Sequence, residues 1–224
     1  MCTKNVKYTL QKLIIISLLL VFSLLSGVLT SCKEKEIEYD EAEVMMEAER
    51  LLKSAEIVNS IFYGNGISYV YGLNQNGVYC EADYNHLYSL GLRSLTDMKK
   101  LCVDTYSVGM SYMIFSATTD VSGDGSGNYL IARYYVPTDE PDRLMVNSSY
   151  KQIFDDKMTY DYSTLKIVGA EGQKIKLTIT ASVRSTDESK EDTQSVEIKV
   201  LLVKEENGYR IDNFVFANYN DALN

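Results

Sequence analysis

The feature that most restricts the fold of this chain is a change in the spacing of its apolar residues. Residues 41–62 place apolar side chains every three or four positions, which predicts one amphipathic helix with a buried stripe. Beyond residue 128 the spacing changes to two, and residues 175–184 alternate between apolar and polar side chains. Such strands bury one face and expose the other. The predicted class is therefore α+β, with N-terminal helices packed on a curved antiparallel sheet.

Turn and capping signals place the remaining predicted elements. Residues 67–71 and 78–82 flank Asn76-Gly77, which is typical of a hairpin turn. Ser94 and Asp97 resemble a capping pair at the start of a second helix, and a third short helix is expected over residues 107–115. One meander that curls around the helices is predicted to contain strands in residues 129–136, 144–146, 165–168, 175–184, 196–202 and 209–216.

The first 31 residues carry the pattern of an export signal. Three Lys precede an apolar run over residues 13–25, as in the charged and apolar regions of secretory signals. Leu29-Thr30-Ser31-Cys32 follows, and this motif resembles the bacterial lipobox. The resemblance implies that Cys32 becomes the mature N-terminus and carries a lipid anchor. An uncleaved transmembrane helix over residues 13–29 is the alternative interpretation.

On this interpretation the chain has three parts. Residues 1–31 are a lipoprotein signal peptide, residues 32–40 are the lipidated Cys with a charged tether, and residues 41–224 are a single α+β domain. Acyl chains hold a protein on a bilayer through about 0.8 kcal/mol per buried methylene. The expected location is therefore the extracytoplasmic face of a bacterial cell membrane, with the choice of leaflet left open.

The charge of the chain restricts its partners. It contains 22 Lys and Arg against 31 Asp and Glu, for a formal charge of −9. Loss of Lys4, Lys7 and Lys12 with the signal would make the remaining domain more acidic still. An acidic surface repels phosphate backbones and gives no polybasic attraction to anionic headgroups, so nucleic acid is not expected as a partner.

Residues suited to catalysis or metal binding are few. His86 is the single His, and a site with Cys80 as nucleophile would need it as the base, although a polar loop is the interpretation we favour. The sequence has no G-x-S-x-G elbow, no CxxC and no HxxxH, so neither an enzyme nor a metal or cofactor site is expected. Cys80 and Cys102 remain after export and could either form a disulfide or stay reduced and buried.

Residues 120–128 form the first candidate binding feature. They place oxygen ligands at positions 1, 3, 5, 7 and 9 with Gly at position 6, as in a calcium loop. Position 12 is Ile131, where such loops carry a bidentate Glu. A mobile solvated loop is therefore the favoured interpretation, with contact to a partner through Asp120, Asp124 and Asn128 as the functional one.

Tyrosines form the second candidate binding feature. Six Tyr fall within the 26 residues from 63 to 88. Tyr offers a rigid ring and a polar tip that can grip a glycan, a peptide or a protein surface, and Tyr69 and Tyr71 are the candidates here. The alternative is that these rings fill a half-buried hairpin.

Two segments resemble known families. Glu206-Asn207-Gly208-Tyr209-Arg210-Ile211-Asp212 resembles the last strand of nuclear-transport-factor-like and cystatin-like cone folds. Residues 94–100, running into the helix expected near residues 106–115, resemble the bacterial DL-endopeptidase inhibitor family, small secreted proteins that restrain cell-wall hydrolases. The resemblance covers residues 41–217 and departs at Tyr209, where that family often has Trp.

The resemblance implies a function without implying functional residues. Together with the export pattern and the lack of catalytic motifs, it predicts a lipid-anchored, non-enzymatic protein that binds and inhibits a partner protein, a peptidoglycan hydrolase. The alternative is a small-ligand module that binds a glycan or peptide in a pocket between the curved sheet and the helices, as cone folds often do.

Overall fold

The computed structural model of the chain describes residues 37–75, 78–118, 122–123, 129–130, 132–150, 157–184 and 193–217. The helices in these ranges are α1 (Glu41–Phe62), α2 (Tyr84–Ser89), α3 (Leu95–Thr105) and α4 (Val108–Thr118). Within the described ranges, no helix combines the length and apolar character needed to cross a membrane.

The strands of the described residues form two four-stranded antiparallel sheets and one short hairpin. In chain order they are β1 (Tyr69–Gln75), β2 (Tyr79–Ala82), β3 (Ser122–Gly123), β4 (Tyr129–Leu130), β5 (Tyr134–Tyr135), β6 (Met145–Asn147), β7 (Lys157–Glu171), β8 (Lys174–Arg184), β9 (Thr193–Glu205) and β10 (Gly208–Ile211). The first sheet has the order β1-β2-β6-β5, the second has the order β10-β9-β8-β7, and β3 pairs with β4. The α+β class is confirmed, while the cone fold named by the resemblance stays a prediction.

Helix α1 forms where the sequence predicts it. The Asp40 carboxylate caps the helix by accepting from the Glu43 amide at 2.9 Å, and acidic residues in the first turn favour the positive end of the helix dipole. Its buried face packs against α3, β7 and β10. The apolar residues of that face are Val44, Ala48, Leu51, Leu52, Ala55, Val58, Ile61 and Phe62.

Tyr134 connects the C-terminal end of α1 to the first sheet. The last carbonyls of a helix have no partner within it. The Tyr134 hydroxyl donates to the Ile61 carbonyl at 2.7 Å and accepts from the Ile67 amide at 3.0 Å. The Tyr134 side chain is fully buried, so both backbone groups are satisfied away from water. One phenol therefore fixes the chain that leaves α1 against β5.

Arg133 makes a second connection at the same end. Its Nη2 donates to the Gly64 carbonyl at 2.6 Å, and its guanidinium lies 4.9 Å from the Tyr150 ring and 5.6 Å from the Tyr134 ring. A Cβ at Gly66 would lie 2.1 Å from that guanidinium, and Gly66 has a φ of 73°. Both the space and the backbone conformation therefore require glycine there.

The segment that carries the family resemblance holds α3 and α4 against the second sheet. Arg210 Nε donates to the Val103 carbonyl, in the last turn of α3, at 2.9 Å. The two carboxylate oxygens of Asp212 accept from Ser107 Oγ and from Lys174 Nζ, both at 2.6 Å. Ser107 directly precedes α4, so Asp212 positions the start of that helix.

The expected single meander is wrong, because the strands before residue 150 form their own sheet. β2 pairs with β6 at Cys80 and Val146, and β6 pairs with β5 on its other side.

The predicted strand over residues 129–136 is also interrupted. The Arg133 amide donates to the Thr118 carbonyl at 2.7 Å, and its carbonyl accepts from the Asn147 amide at 2.8 Å. The backbone of Arg133 is therefore hydrogen-bonded to residues outside the β3–β4 hairpin.

The predicted final strand ends earlier than expected. After Ile211, the Asn213 side chain takes the place of the strand ladder, accepting from the Leu201 amide and donating to the Lys199 carbonyl, each at 2.8 Å. Phe214 then packs on the Tyr63 ring with centroids 5.5 Å apart. The spacing of apolar residues cannot predict that a polar side chain will replace a backbone hydrogen-bond partner.

Replacing Tyr134 with Phe should destabilise the fold without creating a cavity. The change leaves a buried amide and a buried carbonyl without this partner, so we expect a loss of about 1–3 kcal/mol in the free energy of unfolding, measured by urea denaturation. Tyr112→Phe is the control, because Tyr112 is 70% exposed and should shift stability by less than about 0.5 kcal/mol. Equal effects of the two variants would contradict the connecting role of Tyr134.

Replacing Asp212 with Asn should destabilise the folded protein by an amount that depends on pH. Burial alone would raise the pKa of Asp212, but hydrogen bonds from Lys174 and Ser107 hold that pKa below its usual value. Its stabilisation is therefore present above the unfolded-state pKa of about 3.9 and is lost as pH falls through the lower folded-state value.

We expect Asp212→Asn to lower the free energy of unfolding by about 1 kcal/mol at pH 7, after allowing for solvent screening. The loss should be smaller at pH 3. The measurement is urea unfolding at both pH values. Asp104→Asn, which removes an exposed ion pair with Lys100, is the control and should have little effect. A cost for Asp212→Asn that is the same at both pH values would disprove the ionic contribution.

Candidate functional site

A groove of about 520 Å³ lies beside the first sheet, where β2, α2 and the turn before β6 meet. Its volume falls within the usual range for ligand sites. We call it the Arg143 groove. The residues that line it are Glu81, Tyr84, Tyr88, Glu140, Pro141, Asp142 and Arg143.

Two tyrosines of α2 form the aromatic wall of the groove. The Tyr84 hydroxyl accepts from the Leu144 amide at 2.8 Å and donates to the Asp142 carbonyl at 3.1 Å, which fixes its ring. Tyr88 follows one helical turn later, on the same face, with ring centroids 6.0 Å apart. Its side chain is 57% exposed. The wall thus has one fixed ring and one ring open to a ligand.

Arg143 organises the charged wall. Its Nη1 lies 2.6 Å from a Glu140 carboxylate oxygen, and its Nη2 lies 3.1 Å from a Glu81 oxygen. Hydrogen bonding to Glu140, with the charge of Glu81, raises the pKa of Arg143. Asp142 also lines the groove, so carboxylates outnumber the single guanidinium there. The groove therefore favours a cation or a ligand rich in hydrogen-bond donors.

Helix α2 positions the tyrosines, and it is absent from the elements predicted from the sequence. The Asp83 carboxylate caps the helix by accepting from the Asn85 amide at 3.0 Å. His86 Nδ1 lies 3.0 Å from the Ser68 amide, which donates to it, and 2.9 Å from Ser68 Oγ. His86 therefore joins α2 to the chain before β1, and the predicted polar loop at this position is wrong. A capping Asp before the aromatic run was the available signal.

Cys80 and Cys102 are free, buried thiols in the structure, so the disulfide alternative is not formed. They belong to different elements, because Cys80 pairs with Val146 within the first sheet and Cys102 lies on α3. Cys102 Sγ lies 3.8 Å from Ser111 Oγ. Burial raises the pKa of Cys102 to about 12, which keeps it a neutral thiol and a poor nucleophile.

The other predicted site residues divide into two groups. Cys32, Asp120, Asp124 and Asn128 lie outside the described residues. Tyr69 and Tyr71 belong to β1, and Tyr69 packs partly buried against the core. In the described part of the chain, no group of three or more His, Cys, Asp or Glu is arranged to hold a metal ion.

No known family model matches this sequence, and no curated protein matches it significantly.

The two buried thiols should be unreactive in the folded protein. A soluble domain that begins at Lys33 contains Cys80 and Cys102 as its cysteines. We expect neither to react with an aromatic disulfide reagent at pH 8 until denaturant is added, and both to react afterwards without reductant. Met46→Cys provides a positive control, because Met46 is 65% exposed. Absence of reactive thiols in denaturant would show that the two cysteines are bridged.

Proposed function

We propose that this protein is a lipid-anchored, extracytoplasmic binding protein without enzymatic activity, and that it recognises its partner through the Arg143 groove. The observation that carries the proposal is the combination of the exposed Tyr88 ring with carboxylates arranged around Arg143. No Ser, Cys, His or Lys lines this groove. Glu81 and Glu140 share one guanidinium, an arrangement that suits recognition better than proton transfer.

The ligand chemistry follows from the two walls. A Lys or Arg side chain would meet the excess of carboxylates and could lie over the Tyr88 ring, where a cation is attracted to the aromatic face. Tyr84 and Arg143 are held in place before any ligand arrives, which lowers the entropy lost on binding. A basic segment of a protein is therefore the ligand that we propose.

The partner that we propose is a peptidoglycan hydrolase, and the effect is inhibition or regulation of its activity. The export pattern that ends at Cys32 supports an envelope location, and the resemblance to DL-endopeptidase inhibitors supports the choice of partner. The net negative charge of the chain favours a basic partner surface. Residues 120–128 are proposed as a second contact.

A glycan or peptide is the second candidate ligand. The exposed Tyr88 ring beside hydrogen-bonding carboxylates favours it, because sugar rings stack on tyrosine and their hydroxyls donate to carboxylates. The location differs from the expected pocket between sheet and helices. There, buried apolar side chains of β8 belong to the same core as α1, namely Ile175, Leu177, Ile179, Ala181 and Val183.

The test is to titrate the soluble domain from Lys33 into peptidoglycan digestion by secreted endopeptidases of the same organism. We expect stoichiometric inhibition. Tyr88→Ala and Glu140→Gln should each weaken inhibition by about tenfold, the effect of losing a contact worth 1.4 kcal/mol. The loss caused by Glu140→Gln should shrink as salt increases, because it is electrostatic.

Met46→Ala is the matched control, since Met46 is similarly exposed but lies on α1 outside the groove. This variant should inhibit peptidoglycan digestion as strongly as the unmodified domain does. No inhibition by folded protein would reject the hydrolase as partner, and calorimetric titration with muropeptides would then test the second candidate. Inhibition that survives both groove variants would reject the groove as the contact site.

A further inference from the structure

The outward face of α4 differs from the outward faces of the other long helices. Val108, Tyr112 and Met113 are 68%, 70% and 52% exposed, and we call these residues the α4 face. Residues 108–118 contain no charged side chain. The exposed sides of α1 and α3 instead carry ion pairs, such as Lys53 with Glu49 and Lys100 with Asp104. An exposed helix normally presents polar residues to water, so this face is suited to contact with an apolar environment.

The start of α4 lies at the end of the domain where the tether enters. The Ile37 amide donates to the Gly172 carbonyl at 3.0 Å, in the turn between β7 and β8. Lys174, two residues later, lies 2.6 Å from an Asp212 oxygen, and the other Asp212 oxygen accepts from Ser107 at 2.6 Å. A short series of contacts therefore joins the entry point of the tether to the residue before the α4 face.

The length of the tether limits the distance of this end from the membrane. Cys32 precedes Ile37 by five residues. Five residues span at most about 18 Å even when fully extended. A lipid on Cys32 would therefore keep Ile37 close to the bilayer surface, and the contacts through Gly172, Lys174 and Asp212 connect Ile37 to the start of α4. Such tethering gives the domain a high effective concentration at the bilayer, so weak apolar contacts suffice for docking.

We propose that the α4 face docks on the lipid bilayer that holds the anchor of Cys32. This inference rests on the lipid anchoring in the proposed function and goes beyond it by assigning a membrane-contact surface to the folded domain. Val108 and Met113 enter the boundary between headgroups and acyl chains. Tyr112 lies at headgroup level, where aromatic rings with a polar tip are favoured.

The charge of the domain determines which lipids suit this contact. The chain carries a net charge of −9, which repels anionic headgroups. The side chains of the α4 face carry no charge. The Glu205 carboxylate accepts from the Val108 amide at 3.2 Å, and it would have to stay on the water side of the contact. Docking therefore depends on apolar contact, and zwitterionic lipids are the appropriate surface.

The experiment uses the processed full chain, reconstituted into vesicles of phosphatidylcholine and phosphatidylethanolamine. A Tyr112→Cys variant carries a polarity-sensitive fluorophore, while Cys80 and Cys102 are buried and stay unlabelled. We expect a blue shift and several-fold stronger quenching by lipids with a shallow nitroxide, because an interfacial helix buries its apolar face about 5–10 Å into the headgroup and acyl boundary. Met46→Cys, at a similarly exposed position on α1, is the matched control and should show neither effect.

Each outcome decides the inference. Quenching that is equal at positions 112 and 46 would overturn it, because mere closeness to the bilayer would explain both signals. An acylated Cys32, shown by mass, together with an unquenched label at position 112 would overturn the docking alone and leave the anchor intact. An unacylated Cys32 would overturn both the docking and the anchor. Loss of quenching in a Val108→Glu chain that stays acylated and folded would support the inference.

Discussion

The rest of the structure depends on the hydrogen bonds that complete the C-terminal end of α1. The carbonyls of Ile61 and Gly64 receive their donors from Tyr134 and Arg133, about seventy positions later in the chain. Tyr106 adds a third long-range bond, donating to the Asn59 side chain at 2.8 Å. Because a buried carbonyl without a donor costs about 1–3 kcal/mol, the bonds from Tyr134 and Arg133 specify how the first sheet meets α1.

The two candidate contact surfaces follow from different parts of this framework. The Arg143 groove belongs to the first sheet, since Glu81 lies on β2 and Arg143 precedes β6. The α4 face depends instead on Asp212, which holds Ser107 against the second sheet. Recognition of a partner and contact with a membrane would therefore use separate elements. Changes to one surface should leave the other in place.

Local patterns predicted much of the fold. The bounds of α1 and its capping Asp40 follow from neighbouring residues, and so do the long alternating strands β8 and β9. The groove was not predicted, because its walls come from β2, α2 and a turn about sixty residues later. The charges at Glu140 and Asp142 indicate no site by themselves, since nothing in the local pattern shows that Arg143 also reaches Glu81.

The sequence by itself determined the helix and strand periods, the acidic charge and the export pattern that ends at Cys32, because each is a property of adjacent residues. Only the tertiary structure decided that the strands divide into two sheets and that both thiols are free and buried. It also decided that Arg143 joins two acidic segments. These features depend on hydrogen bonds and ion pairs between distant residues, and an apolar period carries no information about such partners.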